Sequence, residues 1–124
     1  MTNVQNLCQI EIKVTDIDRS LSFYEKVFGW VRVPADIHEY HVLKVPEEWP
    51  FGVSLVPTKV LNPSNSVVNY FHTNSVQTVL DDARKNGGDV VFGPKILPGY
   101  GSLFHIKDPD GNTIGVFSEE KIKS

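Results

Sequence analysis

Apolar and polar residues alternate from position 8 to position 14, which is the period of a half-buried β-strand. Cysteine, isoleucine and valine occupy the even positions, and Gln9, Glu11 and Lys13 occupy the odd ones. The odd face carries only long polar side chains, so it must face either water or a polar cavity. Which of the two it faces decides what function the strand supports.

A helix is predicted directly after this strand. Asp16 and Asp18 offer carboxylates that can cap its start, and Gly29 suits the left-handed position at its end. Apolar residues recur between them at helical spacing: Ile17, Leu21, Tyr24 and Phe28. Residues 30–34, 40–45 and 51–56 are then predicted to form three strands. The first half of the chain therefore reads strand, helix, strand, strand, strand.

The same order of elements is predicted again in the second half. Asn74 precedes Gly87 by the separation that joins Asp16 to Gly29 in the first half. A helix is expected over 75–86, after a strand at 67–73, and further strands are expected at 89–92, 102–107 and 113–118. Residues 93–101, with two prolines and three glycines, are expected to form a loop.

The repeat predicts an α+β fold made of two βαβββ modules. Each half is too short to bury a stable core by itself, so the two are expected to pair into one curled mixed sheet around a cleft, with the helices outside. The expected boundaries are about 7–57 for the first module, 58–66 for a linker and 67–118 for the second module. Residues 1–7 are expected to be a polar lead-in and 119–124 a polar tail, all within a single domain.

Composition and charge exclude some classes of partner and location. The chain has 124 residues, of which 40% are hydrophobic, and 12 Lys plus Arg against 15 Asp plus Glu give a net charge of -3. There is no basic run, so nucleic acid is not an expected partner. No apolar run approaches the length of a membrane span, and a cytoplasmic protein is expected. The single Cys8 is expected to be a buried structural thiol rather than a nucleophile.

Three segments carry a family resemblance: VTDIDRSLSFYEKVFGW, the second helix ending in KNGG, and KDPDGNTIGVF. Together they resemble the vicinal oxygen chelate superfamily, which includes glyoxalase I, extradiol dioxygenases, fosfomycin-resistance enzymes and bleomycin-binding proteins. FGPKILPGYGSLFHIKDPDGNTIGVF also resembles the subgroup described as predicted relatives of lactoylglutathione lyase. The resemblance implies paired βαβββ modules around a cleft, often with a divalent metal.

The metal ligands that the resemblance implies fall at four positions, which are Gln9, Ser54, Val68 and Gly115. Glutamine serves in some glyoxalases, serine is a poor ligand, and valine and glycine offer no side-chain donor. We therefore expect the inherited metal site to be absent and no cofactor to be required.

A different set of polar residues could replace that site. On the alternation of the predicted strands, Gln9, Glu11 and His72 face the cleft. The resemblance implies that His105 faces it too, because fosfomycin-resistance relatives have a substrate-facing tyrosine at that place. Together these four residues could bind a metal or transfer protons. Glu11 and His105 are the candidate catalytic residues. The alternatives are that these side chains only line an organic ligand or face solvent, and that Glu11 and Lys13 form a surface ion pair. His38 and His41 form an HxxH pair, to which no function is assigned.

Aromatic residues at loops or on cleft-facing positions are candidate ligand contacts: Trp30, Trp49, Phe51, Tyr70, Tyr100 and Phe117. Core packing or a dimer interface is the alternative for each. The expected ligand-binding set is Gln9, Glu11, Tyr70, His72, Tyr100, His105 and Phe117. Glycines flank Tyr100, so this residue could also act on a lid.

Three functional classes fit these observations. The first is a metal-free protein that binds a small organic molecule, as bleomycin-binding relatives do. The second is a glyoxalase-like lyase or isomerase with a rearranged metal or acid-base site. The third is a subunit that acts through its exposed sheet edges. In each case a homodimer is expected, because a chain of this length has a small core.

Overall fold

The computed structural model describes residues 4–34 and 39–120 and has the predicted α+β composition, with eight strands and two helices. The first five elements are β1 (Val4–Val14), α1 (Ile17–Phe28), β2 (Val31–Arg32), β3 (His41–Lys44) and β4 (Gly52–Pro57). The next five are β5 (Val67–Thr73), α2 (Val76–Lys85), β6 (Asp89–Leu97), β7 (Gly101–Lys107) and β8 (Thr113–Ser118). The predicted repeat of strand, helix and three strands is confirmed.

The chain forms two compact units, each of which is described by itself. The first unit comprises residues 9–68, and the second comprises residues 69–120 together with 4–8. Strands β1 and β5 therefore contribute residues to both units. Within the described residues, no helix is long and apolar enough to cross a membrane.

Helix α1 of the first unit begins and ends where the sequence predicts. The Asp16 side chain accepts a hydrogen bond from the Arg19 backbone N–H at 3.1 Å, and Gly29 ends the helix with a φ of 74°. Residues along one stripe of the helix, among them Ile17 and Leu21, pack against a core formed by strand residues. The buried members of this core are Val14, Leu43, Val53 and Leu55.

The sheet of the first unit has the strand order β2-β3-β4-β1. Strands β1 and β4 are parallel, with Glu11 opposite Ser54 and Ile12 opposite Leu55. Because side chains alternate along a strand, Ile12 and Leu55 lie on the face that packs against α1, whereas Glu11 and Ser54 lie on the helix-free face. The predicted assignment of the two faces of β1 holds in this unit.

The sheet of the second unit has the order β5-β8-β7-β6, with β5 and β8 parallel. Helix α2 packs on one face of this sheet, where Val76 and Leu80 contact Phe104 and Val116. The opposite face carries the residues that alternate with Phe104 along β7, and no helix covers it within this unit. Each unit thus presents one helix-packed face and one helix-free face.

Strand β6 is longer than the sequence predicts. The expected loop at 93–101 is wrong, because β6 continues to Leu97 and pairs with β7 as far as Gly101. Register shifts between Val90 and Lys95 accommodate the Gly93-Pro94 bond, which is cis. Proline is tolerated there because β6 is the edge strand of its sheet, where a missing N–H removes no ladder bond.

The predicted ends of the chain also need correction. Strand β1 begins at Val4, inside the expected polar lead-in, and its residues 4–8 belong to the second unit. Helix α2 has Ser75 rather than Asn74 at its N-cap, and Ser75 makes no side-chain cap. The Glu120 carboxylate instead accepts the Val76 backbone N–H at 2.9 Å. The expected tail therefore supplies a carboxylate that satisfies an unpaired N–H of α2.

Candidate functional site

The helix-free face of the first unit is polar along β1. Gln9, Glu11 and Lys13 alternate along it and lie opposite Gly52, Ser54 and Val56 of β4. We call this set the first polar face. Its central carboxylate, Glu11, is only 3% exposed. The expected surface ion pair between Glu11 and Lys13 is wrong in its setting, because the Glu11 carboxylate is buried.

Glu11 is held by two side chains of the first unit. Lys13 Nζ lies 3.6 Å from Glu11 Oε2, and Tyr40 donates a side-chain hydrogen bond to the same carboxylate. Burial, with the negative charge of Glu11 next in importance, raises the pKa of Tyr40 above its ordinary value. The phenol therefore stays protonated and remains a donor to Glu11 at physiological pH.

Gln9 is engaged by its neighbour on β4. Its Nε2 donates to Ser54 Oγ at 2.6 Å, and its Oε1 lies over Gly52, where an added Cβ would come within 2.7 Å of it. The hydrogen bond to Ser54 uses one of the two amide hydrogens of Gln9 and fixes the direction of the Gln9 side chain. Gln9 and Ser54, two of the four inherited ligand positions, thus contact each other.

The helix-free face of the second unit combines aromatic rings with imidazoles. The strand registers place the following residues on it, and we call them the second face: Tyr70, His72, Phe92, Lys95, Leu103, His105, Gly115 and Phe117. Tyr70, His72, His105 and Phe117 are all among the predicted ligand contacts. Their common face within this unit agrees with the alternation that the sequence predicts.

Tyr70 and His105 form a buried pair on the second face. The Tyr70 hydroxyl lies 2.7 Å from His105 Nε2, and the two residues are 2% and 7% exposed. Phe92 packs on the imidazole with ring centroids 4.8 Å apart. Gly115 makes room for the phenol, because a Cβ there would lie 2.6 Å from Tyr70 Cγ. A hydroxyl and an imidazole at this distance can exchange a proton.

His72 has polar contacts on both ring nitrogens. Its Nδ1 donates to Gln5 Oε1 at 2.6 Å, and its Nε2 lies 3.3 Å from Glu119 Oε1. Phe117 packs beside the ring, with centroids 6.0 Å apart. His72 is thus oriented by a side chain from each side. Both partners, Gln5 and Glu119, were missed by sequence reasoning.

Tyr100 and the histidines at 38 and 41 are placed differently from the second face. Tyr100 is 51% exposed in the turn between β6 and β7, where its N–H bonds to the Leu97 carbonyl at 2.9 Å. A tight hairpin turn replaces the expected lid loop. His41 lies in the register of β3 opposite Leu55, on the helix-packed face of the first unit, and His38 lies outside the described residues.

Three of the predicted aromatic contacts belong to the helix-packed side of the first unit. Trp30 and Phe51 pack against the buried core there, and Trp49 contacts both rings. Core packing, the alternative given for these rings, describes Trp30 and Phe51. Trp30 and Trp49 lie in loops of the sequence. The Tyr24 ring of α1 nevertheless stacks on the Trp30 ring with centroids 5.8 Å apart, so these aromatic rings lie beside the helix.

Cys8 lies in the second unit beside β5. Its Sγ donates to the Tyr70 carbonyl at 3.3 Å, and burial raises its pKa to about 11. Because the thiolate is the nucleophilic form, the raised pKa argues against a catalytic thiol. This agrees with the structural role that the sequence favours.

The inherited metal positions do not fit a divalent ion. Val68 and Gly115 have no donor atom in their side chains, and the amide N–H of Gln9 is directed at Ser54. Ions of the family's type need several carboxylate or imidazole donors, which these positions do not supply. Elsewhere in residues 4–34 and 39–120, no group of three or more His, Cys, Asp or Glu side chains is arranged to hold a metal.

The four residues of the predicted rearranged cluster are divided between the units. Gln9 and Glu11 belong to the first unit, and His72 and His105 belong to the second. Each pair has partners inside its own unit, as described above. A single cluster of the four stays a prediction.

Two residues, one on the helix-free side of each unit, could not be found from local pattern. Tyr40 reaches Glu11 although β4 lies between β3 and β1, so its role depends on the strand order. Lys95 falls in the segment that was predicted to be a loop, and only its pairing with Leu103 places it on the second face. The sequence signal available for Tyr40 was its position two residues before Val42, which puts both side chains on the same face of an extended segment.

Comparison with known proteins relates both units to one superfamily. Residues 6–116 match the sequence profile of the Glyoxalase/Bleomycin resistance protein/Dioxygenase superfamily. A lactoylglutathione lyase of Arabidopsis thaliana is 30% identical over 112 residues, which cover 82% of this chain and 40% of that protein. A glyoxylase-like domain-containing protein of Didymella fabae is 30% identical over 115 residues, covering 84% of this chain and 86% of that protein.

Solved structures share the fold at low sequence identity. Methylmalonyl-CoA epimerase from Mycobacterium tuberculosis has a TM-score of 0.73 at 15% identity and covers 97% of this chain and 91% of its own. A Streptomyces coelicolor methylmalonyl-CoA epimerase variant in complex with 2-nitronate-propionyl-CoA has a TM-score of 0.70 at 16% identity, covering 98% and 99%. At these identities the likeness establishes the fold alone.

Proposed function

Because the chain belongs to the glyoxalase/bleomycin resistance protein/dioxygenase superfamily, we propose that it binds a small organic molecule without a metal ion of the family's type. The second face is the proposed contact surface, with Tyr70, His72, His105 and Phe117 as its ligand contacts. Glu11 and Gln9 of the first polar face are proposed as further contacts. Tyr100, in the turn between β6 and β7, stays a predicted ligand contact.

One observation carries this proposal, namely the buried pair of Tyr70 and His105 on a sheet face that no helix of its unit covers. Buried polar groups need hydrogen-bond partners, and groups beside aromatic rings commonly orient a ligand. Phe92 and Phe117 supply such rings next to the two histidines. The composition of the second face is that of a small-molecule contact surface rather than a metal centre.

A second candidate function is a lyase or isomerase of glyoxalase type that uses acid-base chemistry. The 2.7 Å contact between the Tyr70 hydroxyl and His105 favours it, because the pair could pass a proton to or from a bound substrate. Glu11 would be the other acid-base candidate. The similarity to a lactoylglutathione lyase makes lactoylglutathione the first compound to test for turnover.

We also propose a homodimer and a cytoplasmic location. Helix α1 presents Phe23, Val27 and Phe28 at 53%, 60% and 54% exposure, and an exposed apolar patch of this kind favours association. The single free cysteine is compatible with a reducing compartment. Sedimentation of the purified protein at tens of micromolar tests the dimer, and a monomer would contradict it.

The binding proposal is tested by a fragment screen monitored by NMR of the histidine side chains, in buffer that contains a chelator. We expect at least one fragment to shift the ring signals of His72 and His105. Its affinity should fall at least about tenfold, or about 1.4 kcal/mol, in His105→Ala. Val14→Ala, on the helix-packed face of the first unit, is the control and should bind normally in its folded fraction.

Two results would contradict the proposal. In the first, no fragment shifts either histidine. In the second, fragments bind equally well to His105→Ala. Turnover of lactoylglutathione that disappears in His105→Ala and Tyr70→Phe would replace simple binding by the second candidate function.

A further inference from the structure

The N-terminus of helix α2 is capped by a residue from outside the helix. Ser75 at the N-cap makes no side-chain cap, and the first turn contains no acidic residue. The carboxylate of Glu120 takes this place, because its Oε1 accepts the Val76 backbone N–H at 2.9 Å and the Ser118 hydroxyl at 3.3 Å. An anion is favoured there, since the first N–H groups of a helix are unpaired and its dipole is positive at this end.

A buried hydroxyl on the neighbouring strand lacks a hydrogen-bond partner. Ser102 lies opposite Ser118 in the pairing of β7 with β8, so the two side chains are neighbours on one face of the sheet. This is the helix-packed face, because Phe104 and Val116, two residues along each strand, pack against α2. Ser102 is 1% exposed, and its Oγ has no hydrogen-bond partner among the residues that the structure describes. A buried hydroxyl needs such a partner, so a further acceptor is expected beside Ser118.

Glu120 does not use all the hydrogen-bonding capacity of this place. Its Oε1 accepts two hydrogen bonds, whereas its Oε2 accepts none within residues 4–34 and 39–120. The Glu120 backbone N–H also donates to Ser118 Oγ at 3.1 Å, which limits where the attached carboxylate can lie. A carboxylate free of the chain could accept from Val76 and Ser118 with one oxygen and from Ser102 with the other.

We propose that the N-terminus of α2, together with Ser118 and Ser102, is a carboxylate-binding site. Glu120 occupies this site, and a small free carboxylate takes it when the Glu120 side chain leaves or is removed. Because Glu120 belongs to the same chain, its effective concentration is about millimolar or higher, and a free carboxylate competes poorly with it. The site lies on the helix-packed face of the second unit and Tyr70 and His105 lie on the other, so the inference does not depend on the proposed binding function.

The experiment replaces the lost carboxylate with acetate. Glu120→Ala removes one methylene and the carboxylate, which acetate matches in size and charge. Urea unfolding at neutral pH is compared in sodium acetate and in sodium chloride at the same concentration of about 200 mM. We expect acetate to lower the unfolding equilibrium constant of Glu120→Ala at least about threefold more than that of the unchanged chain. Glu47→Ala, which removes a carboxylate from an exposed loop, is the matched control and should behave as the unchanged chain does.

Two further variants separate a vacant site from a change of charge. Glu120→Gln loses the same charge but keeps a side chain in the site, so acetate should stabilise it no more than the unchanged chain. Glu120→Ala combined with Ser102→Ala should lose most of the acetate effect, because one donor is gone. Ser102→Ala alone should unfold as the unchanged chain does, since its hydroxyl has no partner to lose.

Three outcomes would overturn the inference. An equal acetate effect in every chain would be a general effect of the salt. An effect in Glu120→Gln as large as in Glu120→Ala would be a response to charge alone, and a full effect in the double variant would exclude Ser102 from the site. If Glu120→Ala does not fold in chloride, folding that returns in acetate supports the inference, and folding that returns in neither salt contradicts it.

Discussion

Glu11 is both a predicted site residue and a buried carboxylate. It is 3% exposed, and it contacts Lys13 and the Tyr40 hydroxyl of its own unit. We therefore expect Glu11 to contribute to stability as well. Glutamine at position 11 would still accept the Tyr40 hydrogen bond, whereas alanine would leave the hydroxyl of this half-buried tyrosine without that acceptor.

This difference predicts an order of stabilities. Glu11→Gln should lower the free energy of unfolding by at most about 1 kcal/mol, because Lys13 is partly exposed and its ion pair contributes little. Glu11→Ala and Tyr40→Phe should each cost about 1 to 3 kcal/mol. Urea unfolding of the three variants measures these values. Equal losses in Glu11→Gln and Glu11→Ala would show that the Tyr40 bond does not hold the carboxylate.

The Cys8 thiol provides a prediction about pH. Its pKa of about 11 means that the reactive thiolate is scarce at neutral pH and increases only as the pH approaches that value. Alkylation of the native protein by iodoacetamide at pH 8 should therefore be at least about tenfold slower than alkylation of the urea-unfolded protein. Similar rates would mean that the thiol is neither buried nor held by the Tyr70 carbonyl.

The contribution of the Cys8 thiol to the stability of the fold also depends on pH. The neutral thiol is favoured in the fold, so folding holds the proton more tightly than the unfolded chain does. This contribution is fully present below the ordinary value of 9.0 and is lost as the pH rises toward about 11. Cys8→Ala should remove this pH dependence from the unfolding free energy, while a slope that persists would assign it to another group.

At the scale of the secondary structure elements, patterns confined to one element were reliable. Alternation predicted the faces of β1, and Asp16 and Gly29 predicted both ends of α1. The prediction failed at β6, because a strand that contains Gly93-Pro94 is recognisable only from its pairing with β7. Local residue preferences describe an isolated segment, and neighbouring strands can override them.

The N-terminus of α2 shows the same dependence on a distant residue. Ser75 does not cap it, and Glu120 contacts Val76 from the other end of the unit. Glu120→Ala should lower the free energy of unfolding by about 1 kcal/mol, since it removes a hydrogen bond and a negative charge at the positive end of the helix. Glu47→Ala, in an exposed loop, is the control and should change stability by no more than about 0.5 kcal/mol.

If Glu120→Ala and Glu47→Ala unfold at the same denaturant concentration, the Glu120 contact does not stabilise α2. A loss confined to Glu120→Ala would establish that the Glu120 carboxylate stabilises the second unit.

For the whole molecule, the sequence predicted the duplication and the α+β class, and both are confirmed. The alternation rule put Tyr70 and His72 on one face of their unit, the family resemblance added His105, and the strand registers place all three there. Strand order, which no local pattern encodes, was needed to find Tyr40 and Lys95. Side-chain partners such as Gln5 for His72 depend on the same long-range pairing.

The absence of ligating side chains at two inherited positions is the strongest argument against a metal centre of the family's type. Val68 and Gly115 cannot coordinate an ion, and the space next to Gly115 is filled by the ring of Tyr70. The central proposal is that this chain binds an organic ligand without such a metal.

The most direct test is elemental analysis combined with native mass spectrometry of protein purified without chelator. We predict no stoichiometric Zn, Ni, Mn or Fe, and we predict that the affinity for a fragment bound at the second face is unchanged after dialysis against chelator. One equivalent of tightly bound metal that is lost in His72→Ala or His105→Ala, and that the fragment needs for binding, would contradict the account.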